Sequence, residues 1–456
     1  MFARWFPLLD QAMDAMVDRY KTAKSIRHDV PLFKSHDERI LFLAKQGTKG
    51  FFFKELAEEI RRDGHAKLKS TRAIVEYAWF LFLLADWKSL IAVIHQMAPE
   101  RPLPSHLADF YFLAAYRSNR EHIVKGTDPV SFEAVVLEAI HFIEVFWPAE
   151  RRRIDVFHAI LQSSLGHWQE AREKIARSSA GLELIPPLAA AKSVLPVLPP
   201  RDTFSWPLEI IPAKRNRATL VSVDRNYYAT YSRAFRTIHA ATNPDRSVHF
   251  HCVGFDPREF DNPELDDSTG FTIDRTDISG LLPRDKQGYY ACARLLHAVA
   301  YLGIYDSILI SDIDGSVDRS VSDACAELPM ADVIITSRIL QPDRTLFNMP
   351  WSVIPAGANV VRNSAGGIAF AQYLRDYLAW IFAGARKGER PMWFADQCAL
   401  FYAYVDLKQN VNFRNFDKHF YSQGMDWSPF SSTETKVRHI EDAVRAHGTD
   451  ARRPAQ

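Results

Sequence analysis

Cysteine is scarce in this 456-residue chain. Cys252, Cys292, Cys325 and Cys398 are widely spaced and form no C-x-x-C pair. That excludes a secreted-type disulfide framework and a thiolate zinc site, and it points to a reducing, cytoplasmic setting. An excess of one charge is lacking too. Lys and Arg number 56 against 55 Asp and Glu, for a formal net charge of +1, so no overall basic field recruits nucleic acid or an anionic membrane. Long hydrophobic runs are missing. The most apolar stretch, Tyr77 to Ala85, is bounded by Glu76 and Asp86 and falls well short of the ~20 residues that span a bilayer, so no transmembrane segment is expected. The opening MFARWFPLLDQAMDAM, interrupted by Asp10 and Asp14, lacks the basic, apolar and small-residue succession of a signal peptide.

What is present is enough apolar side chain, 47% of the residues, for a sizeable core in each of two or three domains. Residues 1–185 show helical spacing, as in Ile74, Tyr77, Ala78, Leu81 and Phe82, and no strand texture. Two segments resemble each other, FLFLLADWKSLIAVI (80–94) and ILQSSLGHWQEAREKI (160–175). Each is an apolar helix, a short break, then Trp and a second helix. With LADFYFLAAYRSNREHI (107–123) and LFLAKQGTKGFFFKELAEEI (41–60) as degenerate further members at irregular spacing, this predicts an all-α domain, either a tetratricopeptide-like array of helical hairpins or an ordinary helical bundle. Such arrays present extended surfaces to a partner protein or an acceptor.

Residues 186–212 are proline-rich, with Pro186-Pro187 and Pro199-Pro200, and read as an extended linker. From 213 to 445 β-branched runs alternate with helical stretches. The runs are ATLVSV (218–223), SVHFHCVG (247–254), FTIDRT (271–276), SILISDID (307–314) and ADVIITS (331–337). Helices are expected from about Tyr228 to Ala241 and from about Asp285 to Gly303. This alternation predicts an α/β domain with a mostly parallel, Rossmann-like sheet and chemistry at the carboxyl ends of its strands, after Val223 and after Ile310. Residues 446–456 read as a disordered tail.

The strand Ser307–Ile310 leads into Asp312-Ile313-Asp314-Gly315, and alternation puts both carboxylates on one face. Two carboxylates at close range repel unless a cation lies between them, and a hard divalent ion shared with phosphate oxygens is the usual resolution. An apolar strand followed by D-x-D-G-S also resembles the first motif of haloacid-dehalogenase-like phosphatases. There Asp312 would be the nucleophile, Asp314 the acid and base, and Thr336 or Ser337 the second-motif hydroxyl. The later lysine and paired acidic motif of that family are missing. His249 and His251 alternate on a strand, but no third ligand is in reach by spacing, and they read as a polar sheet face. Cys398 has no neighbouring His and reads as a buried helix thiol.

Over residues 216–442 the ordered motifs resemble family 8 retaining glycosyltransferases of GT-A fold. VSVDRNYYATYSRAFRTIHAATNPDRSVHFHCVG is similar to the opening strand, D-x-N-Y turn, helix and second strand of that family, and YYACARLLHAVAYLGIYDSILISDID to its helix into the D-x-D strand. The resemblance implies a nucleoside-diphosphate sugar donor, most simply a UDP-sugar, with Asp224, Asn226 and Tyr227 at the base and ribose and Arg294 near the D-x-D. It implies Mn²⁺ (or Mg²⁺) on Asp312, Asp314 and His439, the last in KVRHIED (436–442). Ala356 and Gly357 in IPAGANVVRN match the donor-sugar turn, and Asp396 and Gln397 in MWFADQCALFYAY match the catalytic helix start. The sequence departs from the family at Pro355, where an asparagine is usual, at Cys398, and after His439, where a diphosphate-gripping lysine is absent and Lys436 or Arg438 would substitute. The expectation is a metal-dependent hexosyltransferase acting with retention on a glycan, lipid or protein acceptor. The departures leave open a non-catalytic scaffold carrying a degenerate nucleotide-sugar domain.

Overall fold

The computed structural model describes residues 70–83, 86–100, 102–124, 128–178, 206–260, 267–314, 320–336 and 354–416. The expectations for residues 41–60, the 446–456 tail, Ser337, Lys436, Arg438 and His439 lie outside them. The described residues up to 178 belong to one compact unit and those from 206 to another.

The first unit is all-α, with helices α1 (Thr71–Leu83), α2 (Trp87–Met97), α3 (His106–Val124), α4 (Pro129–Phe146), α5 (Arg151–Ser164) and α6 (Trp168–Arg177). Each packs against the next in the chain. Breaks fall where local chemistry puts them. Asp86 accepts from Ser89 N at 3.4 Å to cap α2, Asp128 accepts from Ser131 N at 2.9 Å ahead of Pro129 in α4, and Gly166 takes φ +83° after α5. The apolar stripe of α1 is buried at Ile74, Tyr77, Ala78 and Leu81, and Phe82 stacks on Phe110 with centroids 4.9 Å apart. Among the described residues no helix is long and apolar enough to cross a membrane.

The second unit is α/β. Its strands are β1 (Leu208–Ile211), β2 (Arg217–Val223), β3 (Ser247–Val253), β4 (Thr269–Asp274), β5 (Ser307–Ser311), β6 (Val333–Ile335), β7 (Ala358–Arg362) and β8 (Phe413–Asn415). They form one mixed sheet in the order β1-β4-β3-β2-β5-β7-β6-β8. The centre β4-β3-β2-β5 is parallel. β1 runs antiparallel to β4, and β7 antiparallel to both β5 and β6. The helices are α7 (Arg225–Thr242), α8 (Pro283–Leu296), α9 (Ala298–Leu302), α10 (Val321–Ala326), α11 (Ala365–Ala385) and α12 (Ala395–Leu407). Strand alternation sorts the central sheet into two faces. Val221, Val248, Phe250, Cys252, Phe271 and Ile273 join Tyr231, Phe235 and Ile238 of α7 in one apolar core. His249, His251 and Thr272 meet α9 and the residues flanking it.

The helical region and the eight-stranded sheet with its helices agree with the expected fold class, including the GT-A-like arrangement of the second unit. Three details differ from the sequence reading. The expected helix from Asp285 to Gly303 breaks at His297, which leaves helical geometry at φ −103°, ψ 9°. The last residues of the proline-rich segment form β1. The sheet is mixed where a mostly parallel one was expected, because β7 lies between β5 and β6 and runs antiparallel to both. That insertion brings the turn before β7 to the carboxyl end of β5, with Ser311 opposite Ala358.

Candidate active site

The parallel pairing of β2 and β5 brings the residues after Val223 and after Ser311 to the same edge of the sheet, where ligands of open α/β sheets bind. Asp312 follows β5 directly, and its backbone N–H donates to Gly357 O at 3.3 Å, which ties the D-x-D turn to the Ala356-Gly357 turn. Arg294 rises from α8 between them. Its Nη1 donates to Ser311 O at 3.0 Å, and its Nη2 donates to Asp312 Oδ1 at 2.5 Å and to Ala356 O at 3.5 Å. The guanidinium is 3% exposed. Burial opposes its charge, but the carboxylates of Asp312, Asp396 and Asp314 outweigh burial, and its pKa rises. Arg294 is therefore a fixed internal cation that orients Asp312.

Asp396 enters from the first turn of α12. It is buried, and its Oδ1 accepts from Gln397 N at 2.8 Å. Burial pushes its carboxyl up; Arg294 opposes that and Asp312 adds to it. Gln397 is half-buried beside it. The residue before α12, Phe394, has φ +66° and is the one non-glycine residue with positive φ among those described. An aromatic residue in the left-handed region is strained, and such strain persists only where its surroundings enforce it.

Part of that enforcement comes from α8, which grips Met392. Asp285 accepts from Met392 N at 2.8 Å, and the Cys292 thiol lies 3.9 Å from Met392 O. A Cβ on Gly288 would lie 2.6 Å from the Met392 carbonyl carbon, so only glycine permits the approach. One helix thus holds both Arg294 and the segment that presents Asp396.

Asp224 caps α7 by accepting from Tyr227 N at 2.8 Å, the local role its type predicts. Asn226 and Tyr227 are exposed on that first turn. Tyr290 of α8 was not singled out in the sequence, yet burial and the nearby Asp224 both raise its phenol pKa. It links the β2 end to the helix that carries Arg294. Its only sequence trace is membership of the YYACARLL run. Gly288 left a clearer sign, since glycine inside a helix is less favourable than alanine by about 1 kcal/mol and so asks for a packing reason.

The structure thus brings Arg294, Asp312, Asp314, Asp396, Ala356 and Gly357 together, and it sets Asp224, Asn226 and Tyr227 at the neighbouring strand end. His439 lies outside the described residues. Where the resembled family has an asparagine, the Pro355 carbonyl accepts from Asn359 Nδ2 at 3.0 Å; an amide is present, but it is buried and braces the turn. Cys398 is buried, and burial, with Asp396 behind it, pushes its thiol well up. Of the two candidate second-motif hydroxyls of the phosphatase reading, Thr336 is buried and donates to Ala358 O at 2.8 Å, and Ser337 lies outside the described residues.

Neither a protein-family model nor a curated protein matches the chain. Among solved structures it is similar to the apo form of the glycosyltransferase GlyE from Streptococcus pneumoniae TIGR4, at 13% identity and a TM-score of 0.31, over 45% of this chain and 46% of that one. It is also similar to the apo form of mouse xyloside xylosyltransferase 1, at 16% identity and a TM-score of 0.26, over 45% of this chain and 86% of that one. The chain therefore covers less than half of the first of these proteins, and the functional reading rests on the residues.

A second polar cluster lies inside the unit. His251 Nε2 is 3.0 Å from Asp274 Oδ2, with both side chains fully buried. The His297 ring stacks on His251 at 5.1 Å and 12°. The spacing of His249 and His251 suggested no third group; the fold supplies two, because α8 ends at His297 and β4 ends at Asp274. His249 goes to Tyr305 and Thr272, each at 2.8 Å.

Proposed function

We propose that the second unit is a metal-dependent glycosyltransferase that binds a nucleoside-diphosphate sugar, most simply a UDP-sugar, and passes its hexose to an acceptor with retention. The observation that carries this reading is the convergence of Asp312, Asp314, Asp396 and the Ala356-Gly357 turn around the buried cation Arg294. The ordered motifs of the family 8 resemblance run through the same residues. The donor set fits a hard divalent ion: Arg294 holds one oxygen of Asp312 and leaves Oδ2 for metal, Asp314 is a second hard ligand, and the Asp312 side chain is 36% exposed. When bound there with His439, Mn²⁺ (or Mg²⁺) would neutralise charge on the departing diphosphate.

The chain's own residues would do the rest. Asp224, Asn226 and Tyr227 receive the base and ribose. The Ala356-Gly357 turn lets the sugar approach backbone. Asp396 orients sugar hydroxyls from a buried position held against Arg294, with Gln397 beside the anomeric carbon. Lys436 or Arg438 would take the place of the absent diphosphate lysine. The helical unit, with hairpins opening at residues 71, 106 and 151, is read as tetratricopeptide-like and as the surface for the acceptor or a partner protein. Four unpaired cysteines suit a cytoplasmic setting.

Titration calorimetry of the full chain against a panel of nucleoside-diphosphate sugars, with and without Mn²⁺, tests the reading. Binding that needs Mn²⁺ and disappears in Asp312→Asn/Asp314→Asn supports it. Absence of binding across the panel favours the non-catalytic scaffold, and metal-independent hydrolysis of small phosphate esters favours the phosphatase.

A further inference from the structure

The buried cluster has the chemistry of a metal site. His251 on β3, Asp274 at the end of β4 and His297 between α8 and α9 each offer one ligand atom, and those atoms lie within 4.8 Å of one another. Ligand bonds of about 2.0–2.1 Å to zinc put tetrahedral neighbours about 3.4 Å apart, so modest side-chain shifts close the set. His297 is 5% exposed, and its Nε2 is buried with no hydrogen-bond partner. Buried polar atoms in native proteins are nearly always paired, and an orphan of this kind marks an ion or water.

The groups behind the ligands point the same way. Tyr301 donates its hydroxyl proton to Thr272 Oγ1 at 2.9 Å and so presents a lone pair to His251 Nδ1, 2.6 Å away. With an N–H on Nδ1 satisfying Tyr301, Nε2 faces Asp274 Oδ2 at 3.0 Å, and positive charge belongs between them, carried either by a second ring proton or by a metal ion. The Asp274 carboxylate is oriented by three donors, Thr276 N at 2.9 Å, Thr276 Oγ1 at 2.5 Å and Tyr289 Oη at 2.8 Å. Metal-ligating His and carboxylate side chains are held in this manner.

We propose that His251, Asp274 and His297 bind a divalent transition-metal ion, zinc foremost, as a structural site separate from the sugar-nucleotide site. Two imidazoles and one carboxylate in a closed setting suit a borderline ion far better than Mg²⁺ or Ca²⁺. The ion would pin the end of α8 to β3 and β4, three residues beyond Arg294.

Elemental analysis of the full chain, purified without chelator, tests this independently of the donor reading. The expected result is about one zinc or similar ion per chain, retained in Asp312→Ala/Asp314→Ala and lost in His297→Gln. After metal removal and addition of Co²⁺, wild type should show visible d–d absorption that His297→Gln lacks. If His297→Gln fails to fold, Tyr301→Phe serves instead and should weaken Co²⁺ binding by about 10–100-fold. The proposal is overturned if wild type carries no metal and gives no Co²⁺ spectrum, if the metal is unchanged in both variants, or if it vanishes with the two D-x-D aspartates.

Discussion

Two buried carboxylates in the second unit, Asp396 and Asp274, are driven in opposite directions. Burial pushes Asp396 up. Burial also disfavours the charge on Asp274, yet hydrogen bonds from His251 and Thr276 overcome it and hold the carboxyl well below its ordinary value. The difference is one of supply. Asp274 has side-chain donors of its own, whereas Asp396 accepts only from backbone N–H groups, Gln397 among them, and shares the field of the Arg294 guanidinium with Asp312 and Asp314. The closed cluster on β3 and β4 supplies its carboxylate with donors from within the fold. The cluster at the strand ends leaves carboxylates short of donors, the condition in which a cation and a polar ligand are bound.

Removing the shared cation should break the comparison most severely. Arg294→Ala leaves Asp312 and Asp396 facing each other around an empty guanidinium site. We expect a loss of about 3–5 kcal/mol in denaturant unfolding, together with loss of nucleotide binding. On the closed side, Tyr289→Phe deletes one donor to the Asp274 carboxylate and should cost about 1.5–3 kcal/mol while leaving nucleotide binding intact. Gly288→Ala sharpens the role of α8. The added Cβ collides with the Met392 backbone, so a stability loss of about 1–3 kcal/mol should come with weaker donor affinity as Asp396 is displaced.

The smallest effect is in the pH dependence of unfolding, read on protein stripped of metal. With the folded pKa of Asp396 above the ordinary 3.8, the native state holds the extra proton. The contribution of Asp396 to stability therefore falls as pH rises from 3.8 through the folded value. For Asp274 the folded pKa is depressed below 3.8, so its contribution is complete above 3.8 and is lost as pH falls below it. Asp396→Asn should remove a negative slope and Asp274→Asn a positive one. Slopes of the same sign in the two variants would contradict the assignment.

Much of the fold was legible in the sequence because local chemistry and tertiary structure agree there. Apolar runs such as ATLVSV and SILIS are strands buried on both faces, and Asp86 and Asp224 cap the helices they precede. Asp312 was visible because it ends an apolar strand, whereas Arg294 and Asp396 were singled out only through the family 8 resemblance. What could not be read depends on partners distant in the chain. β7 inserts antiparallel beside β5, a choice no local propensity encodes. Phe394 adopts φ +66° two residues after Met392, which α8 holds, and neither residue type announces it. His297 and Asp274 reach His251 only once three elements pack, so spacing along the chain could not unite them.

The central claim is that the carboxylates around Arg294 form a metal and sugar-nucleotide site. Anomalous diffraction from crystals of the full chain soaked with Mn²⁺ and UDP tests it most directly. A manganese peak is expected between the Asp312 and Asp314 carboxylates, with the diphosphate against it and the base beside Tyr227. A crystal with UDP bound elsewhere, or with no manganese at the two aspartates, would contradict it.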